Sequence, residues 1–199
     1  DVPNIHVTSL PGDLGYIRLD SFSQKATDQM QEALLRISDE GAKGLVLDLR
    51  GNPGGGLMTA VDIVSMFVKG RKLVVYDKGR PEIRARNNYF SDSKLHSFDK
   101  PLVVLVNGFS ASASEIVSGA LKHYNRATLI GEQTYGKGSV QVVFWVAATD
   151  FSCQLKLTIA KYYLPNDECI HGVGVEPNML VEPQEIQGWV FDEQGRLRE

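Results

Sequence analysis

Three times along this chain an apolar run is followed by a turn of small residues and then by apolar residues at helical spacing. That recurrence constrains the fold more than any other feature. Residues 15–19 read as a strand, and Ser23 stands in capping position before Ala26, Met30, Ala33, Leu34 and Ile37, with Gly41 as the stop. Residues 45–49, the glycine-rich turn 51–56 and the series Leu57, Val61, Val64 and Val68 repeat the unit. Leu102–Val106, ending at Asn107-Gly108, and residues 114–124, with Ile116, Ala120 and His123 at helical spacing, give it a third time. Strands alternating with helices predict an α/β layered domain with largely parallel strands. Residues 73–76 resume extended structure. The polar stretch 77–100, with Arg80, Arg84, Arg86, Asp92 and Lys94, is expected to be an excursion or flap. After residues 127–130 and the turn-rich 131–138, two long β-like runs (139–146 and 153–164) and a turn at Asn166-Asp167 predict a β-rich C-terminal part.

A chain of 199 residues, 43% of them apolar, reads as one domain, able to bury roughly 70% of the surface its unfolded form exposes without a metal or a disulfide lattice. Its longest apolar runs, 102–106 and 142–148, fall far short of the ~20 residues that span a bilayer. With 21 basic against 24 acidic side chains and no basic block, a nucleic-acid partner is not expected. The start at Asp1, with neither Met nor an apolar leader, is that of a processed product or a trimmed chain. Cys153 and Cys169 are too few and wrongly spaced for a zinc site, and two unpaired, buried thiols are expected in preference to a disulfide.

Neither glycine-rich stretch suits phosphate. Residues 131–137 match the first seven places of a P-loop, but Gly138 stands where a hydroxyl is needed and a strand follows instead of a helix. The turn 51–56 breaks the dinucleotide pattern at Thr59 and reads as a tight strand-to-helix turn whose backbone amides can face a bound oxygen. In Asn107-Gly108-Phe109-Ser110-Ala111-Ser112-Ala113-Ser114-Glu115-Ile116, three hydroxyls lie between a buried strand and a helix. Taken alone this suits a helix cap better than a nucleophile. A serine needs a base, and His6, His96 and His171 lie in no suggestive motif, while His123 is three helical turns beyond Ser112, about 16 Å along the axis. The remaining candidate is Lys137 between Gly136 and Gly138, where missing side chains would let its stem enter a packed interior. A lysine with the reference pKa of about 10.4 is almost wholly charged at neutral pH, so such a base must be sheltered from water. Gln141, four residues on in a strand, alternates onto the same face and would orient the amine without adding charge.

Together, SASASE after a strand ending in VLVN, YGKGSVQ beyond it, LVLDLRGNPGG before it, and LTIAKYYLPN with GVGVEPN resemble the carboxyl-terminal processing peptidases. These are the tail-specific serine proteases of the S41 type. The likeness runs from Gly15 to about Val181. It implies a ClpP/crotonase-like α/β core and one catalytic domain over residues 1–199. It also implies Ser112 as nucleophile, Lys137 as general base, Gln141 as its orienting partner, and an oxyanion hole from the amides of Ala113 and of Gly54 or Gly55. No metal or cofactor is called for. Substrates would be proteins or peptides bound as extended strands and cut near their C-termini, outside the cytoplasm (periplasm, cell envelope or thylakoid lumen). Self-association into a homo-oligomer is left open. Two departures stand out: His123 occupies a place that often holds Asp in this family, and no segment is long enough for the PDZ domain that usually precedes the core. The rival readings are a non-catalytic peptide- or ligand-binding module on the same scaffold, and an esterase using His123 or His171.

Overall fold

The apolar runs become the inner strands of a six-stranded sheet. The computed structural model describes residues 4–82, 85–146, 153–182, 190–191 and 197–198. In chain order the elements are β1 (Ile5–Leu10), β2 (Leu14–Leu19), α1 (Ala26–Asp39), β3 (Gly44–Asp48), α2 (Leu57–Phe67), β4 (Leu73–Gly79) and β5 (Asn87–Phe90). A short 3-10 turn (Ser93–Leu95) follows, then β6 (Leu102–Val106), α3 (Ala113–His123), β7 (Thr128–Gly131), β8 (Ser139–Trp145), β9 (Gln154–Tyr163) and β10 (Met179–Leu180). Two short strands, β11 (Val190–Phe191) and β12 (Leu197–Arg198), pair with each other.

The main sheet has the order β1-β2-β3-β6-β7-β10, parallel throughout except for the β1–β2 hairpin. Strands covered on both faces cannot show polar alternation, and β3 and β6 are accordingly near-continuous Val and Leu, with Leu45, Leu47, Leu102, Val104 and Val106 buried. On α1 the buried side chains are Ala26, Met30, Ala33, Leu34 and Ile37, the stripe read from spacing. Helix α2 is buried almost all round because it packs against α1, α3 and β4 at once. Its last carbonyl, on Phe67, accepts Arg126 Nε at 2.8 Å, while Arg126 Nη2 reaches Phe98 O and Lys100 O at 2.8 and 2.9 Å. One half-buried cation thus satisfies three carbonyls, the first at a helix C-terminus where positive charge is favoured.

The β-rich part is a second, antiparallel sheet, β5-β4-β9-β8. Stretch 77–100, expected to be an excursion or flap, carries the β4–β5 pair: Asp77 is buried and accepts hydrogen bonds from Asn87 Nδ2 (3.1 Å) and Tyr89 Oη (2.7 Å), and Phe98 packs edge-on against Phe67. Its polar residues satisfy one another, which a hydrophobicity pattern does not reveal; residues 83 and 84 lie outside the described residues. The thiols are not buried as expected: Cys153 is exposed and Cys169 only half-buried. Cys153 lies just before β9, and Cys169 bridges Tyr163 at the end of that strand. No helix among the described residues is long and apolar enough to cross a membrane.

Candidate active site

The C-terminal ends of β3 and β6 carry the turns that build the site. Asp48 closes β3 with its carboxylate wholly buried, held by Arg50 Nη2 (2.6 Å), Arg50 Nε (3.0 and 3.1 Å), the Arg50 amide (2.9 Å) and Tyr16 Oη (2.6 Å). Burial alone would push this carboxyl up, but the hydrogen bonds from Arg50 and Tyr16 outweigh it and hold the group below the ordinary carboxylate range. Stability from a depressed carboxyl is complete above its unfolded pKa of about 3.9 and is lost as pH falls through the folded-state value. Because Arg50 is half exposed, Asp48→Asn is expected to cost only about 2 kcal/mol near neutral pH, or roughly 4–8 °C of melting temperature. The gap between the variant and unsubstituted melting curves should close below about pH 4. A gap that is unchanged in acid would show that the carboxylate's charge contributes nothing.

Beyond Arg50 the chain enters the glycine turn. Gly54 has φ +102°, and a Cβ there would lie 2.7 Å from Ala111 O, 2.8 Å from Ser112 Cβ and 3.0 Å from the Ala113 amide, so only glycine lets this turn lie against the serine turn. The Gly54 N–H donates to Asn52 Oδ1 at 2.9 Å, and the Gly54 carbonyl accepts the Phe22 N–H at 3.0 Å. In a trans peptide the N–H points opposite to the carbonyl, so the Gly55 N–H faces away from Phe22. Among the described residues neither the Gly55 nor the Ala113 amide donates to a protein group. Of the two candidate glycines, then, Gly54 is engaged and Gly55 is free.

After β6 the chain turns at residues 107–111. Ser110 Oγ donates to Leu49 O (2.8 Å) and accepts the Asn107 amide (3.0 Å), while Ser114 Oγ donates to Asn52 O (2.9 Å); both serines are buried ties between the turns. Ser112 occupies the N-cap position of α3 at φ 56°, ψ −111°, a conformation that costs a non-glycine residue about 1–3 kcal/mol. What holds it there is Glu115, wholly buried, whose Oε2 accepts the Ser112 amide at 2.7 Å. The same oxygen accepts the Lys137 amide at 2.8 Å, and Oε1 accepts the Gly136 amide at 2.7 Å and Thr134 Oγ1 at 2.6 Å. One carboxylate therefore pins the serine and lysine segments together. Sequence reasoning missed it, although Ser112-Ala113-Ser114-Glu115 carries the S-x-x-E signature of a capping box.

The side chain of Lys137 is exposed, not sheltered. Its flanking glycines answer a different need: the backbone of residues 170–174 passes directly over them, with the Gly172 amide donating to Gly136 O at 2.9 Å. Lys137 lines a cavity of about 290 Å³ with Pro53, Phe109, Ala111 and Tyr135, so it borders the residue before Ser112 and the one before Gly54. Gln141 does not reach it. Lys137 lies in the turn before β8, which begins only at Ser139, so a count of alternate strand residues does not extend back to it, and Gln141 Nε2 instead contacts Thr158 Oγ1 at 3.4 Å. His6 pairs with Asp20 and His96 with Asp99, while His123 packs edge-on against Tyr124. Among the described residues no histidine is hydrogen-bonded to Ser112.

An α/β core presenting a serine at a strand-to-helix turn, beside two unengaged backbone amides, has the build of a serine-type hydrolase. The chain belongs to peptidase family S41, whose sequence profile matches residues 13–181. It is 41% identical over 189 residues to the carboxy-terminal-processing protease of Bartonella bacilliformis, covering 89% of this chain and 42% of that protein. It is 41% identical over 175 residues to the carboxyl-terminal-processing protease of Synechocystis sp., covering 87% and 39%. The chain thus spans about two fifths of the length of these relatives. Among solved structures it resembles a photosystem II D1 C-terminal processing protease with a TM-score of 0.80 and 33% identity, over 98% of this chain and 52% of that one. Mature CPAF shares the fold at a TM-score of 0.66 and 16% identity, over 88% and 49%.

Proposed function

We propose that this chain is the catalytic core of a serine endopeptidase that cleaves protein substrates near their C-termini through a Ser112–Lys137 dyad. The observation that carries the reading is the Glu115 carboxylate, which binds the backbone of both residues through one oxygen. In this mechanism Ser112 Oγ attacks the scissile carbonyl and passes its proton to the neutral Lys137 amine. The developing oxyanion is met by the Ala113 and Gly55 amides, the former at the positive end of α3. Collapse of the tetrahedral species breaks the C–N bond, and Lys137 returns the proton to the departing amine. Water, deprotonated by Lys137, then hydrolyses the acyl-enzyme. An extended peptide lying over the Phe109–Tyr135 cavity would exclude water from the exposed lysine, so the base becomes competent once substrate is bound. The apolar and aromatic walls suit an apolar side chain beside the scissile bond. The family likeness extends the proposal to work outside the cytoplasm.

Two features favour a second reading, a non-catalytic peptide-binding module: Lys137 is exposed and Gln141 is turned to Thr158. A fluorophosphonate probe separates the two. The peptidase reading expects a stoichiometric adduct that peptide mapping places on Ser112 and that Ser112→Ala abolishes. A protein that binds apolar peptides but takes no label would be the binding module.

A further inference from the structure

Asn52 sits inside the glycine turn, wholly buried, and does not line the cavity. Its five hydrogen bonds nevertheless join the end of β2, the glycine turn and the serine turn. The side-chain Nδ2 donates to Leu19 O at the end of β2 (2.8 Å), and Oδ1 accepts the Gly54 amide (2.9 Å). Its backbone N–H donates to Leu49 O (3.2 Å), and its carbonyl accepts both the Ala111 amide (3.0 Å) and Ser114 Oγ (2.9 Å). Those last two groups flank Ser112 on either side. A single residue thus grips the turn that carries Gly55 and the turn that carries Ser112 and Ala113.

Such a grip matters because an oxyanion hole works by distance: its donors must lie about 2.7–3.1 Å from the oxygen as charge develops, and they gain by being fixed beforehand. The Ala113 amide is fixed by the start of α3. The Gly55 amide belongs to a glycine-rich segment with no intrinsic rigidity, and its direction depends on the two peptide planes before it. Phe22 holds the nearer plane through the Gly54 carbonyl, and the Asn52 carboxamide holds the farther one through the Gly54 amide. We propose that Asn52 is a positioning residue for the oxyanion hole, setting the spacing between the Gly55 and Ala113 N–H groups. The inference rests on Ser112 acting as the nucleophile.

The test uses a p-nitrophenyl acyl ester as substrate, with active sites counted by complete fluorophosphonate labelling. Asn52→Ala, which removes both side-chain bonds and keeps all three backbone bonds, should lower kcat per labelled site by about 100- to 1000-fold with KM within about threefold. Its affinity for a leucine-ended peptide aldehyde, which forms the oxyanion, should fall by a similar factor, while affinity for the matching carboxylic acid holds. Asn52→Asp keeps an acceptor for the Gly54 amide but has a donor for Leu19 O only when protonated. Its activity relative to the unsubstituted protein should therefore recover as pH falls, and this variant carries the test should Asn52→Ala not fold. A side chain that merely stabilised the fold would reduce the number of labelled sites and the melting temperature. It would leave kcat per site and the aldehyde-to-acid ratio unchanged, and that result would overturn the proposal. Failure of the unsubstituted protein to take label at Ser112 would be a different outcome, removing the peptidase reading and the positioning role together.

Discussion

Lys137→Ala is expected to lower kcat by about 10⁴-fold or more, the loss typical of removing one member of a serine-base constellation. The melting temperature should move little, because the side chain is exposed and the backbone bond to Glu115 survives the substitution. Lys137→Arg is the sharper variant. Arginine keeps the charge and nearly the reach of lysine but does not give up its proton, so it can hold a ligand and cannot act as a base. If Lys137 were only a binding group, arginine should restore much of the function; if it is the base, arginine should be as inactive as alanine. An esterase working through His123 or His171 would tolerate both changes, whereas an enzyme with Lys137 as its base would tolerate neither. The measurements are kcat and KM across pH 6–10 for the three proteins, with melting curves as a control. Retained turnover in Lys137→Ala would remove the dyad from consideration.

Glu115→Gln should reduce both stability and activity. The carboxylate accepts four hydrogen bonds from donors alone: the amides of Ser112, Gly136 and Lys137, and the Thr134 hydroxyl. A glutamine turns one of its two ends into a donor, which faces at least one backbone N–H whichever way it sits. Charge-assisted bonds are lost and a buried amide is left without an acceptor, at a cost of about 3 kcal/mol, or roughly 6–12 °C in melting temperature. Activity should fall about 100-fold or more even where the fold persists, because Ser112 relies on this contact to hold its positive φ and the lysine segment hangs on the same oxygen. Thermal unfolding and the rate of fluorophosphonate labelling measure the two effects separately. A variant that melts within about 2 °C of the unsubstituted protein and labels at the same rate would show that the carboxylate is not the link.

Much of the scaffold was legible because its signals are local. The α1 stripe, the two buried strands β3 and β6, the turns behind them and the β8–β9 pair all follow from residues within a few positions of one another. Ser112, the glycine turn and Lys137 were legible as motifs, each placed at an element boundary. The misreadings all involve partners distant in the chain. Gln141 was assigned by counting alternate residues from Lys137, a count that fails because Lys137 lies in the turn before β8 begins at Ser139. The glycines beside Lys137 were read as making way for its stem, whereas they make way for the backbone of residues 170–174. In stretch 77–100, expected to be an excursion or flap, Asp77, Asn87 and Tyr89 find their partners across a strand pair.

The order of strands and helices, and the serine, glycine and lysine segments at their ends, were set by the chain's own periodicity, because a pattern of period two or about 3.6 is decided by neighbours. Tertiary structure alone decided which of the glycine amides is free, that Glu115 joins Ser112 to Lys137, that Asn52 clamps the two turns, and that the lysine faces an open cavity. Those contacts link segments 20 to 60 residues apart, and their geometry depends on how sheet register and helix packing bring the ends of β2, β3 and β6 to one edge.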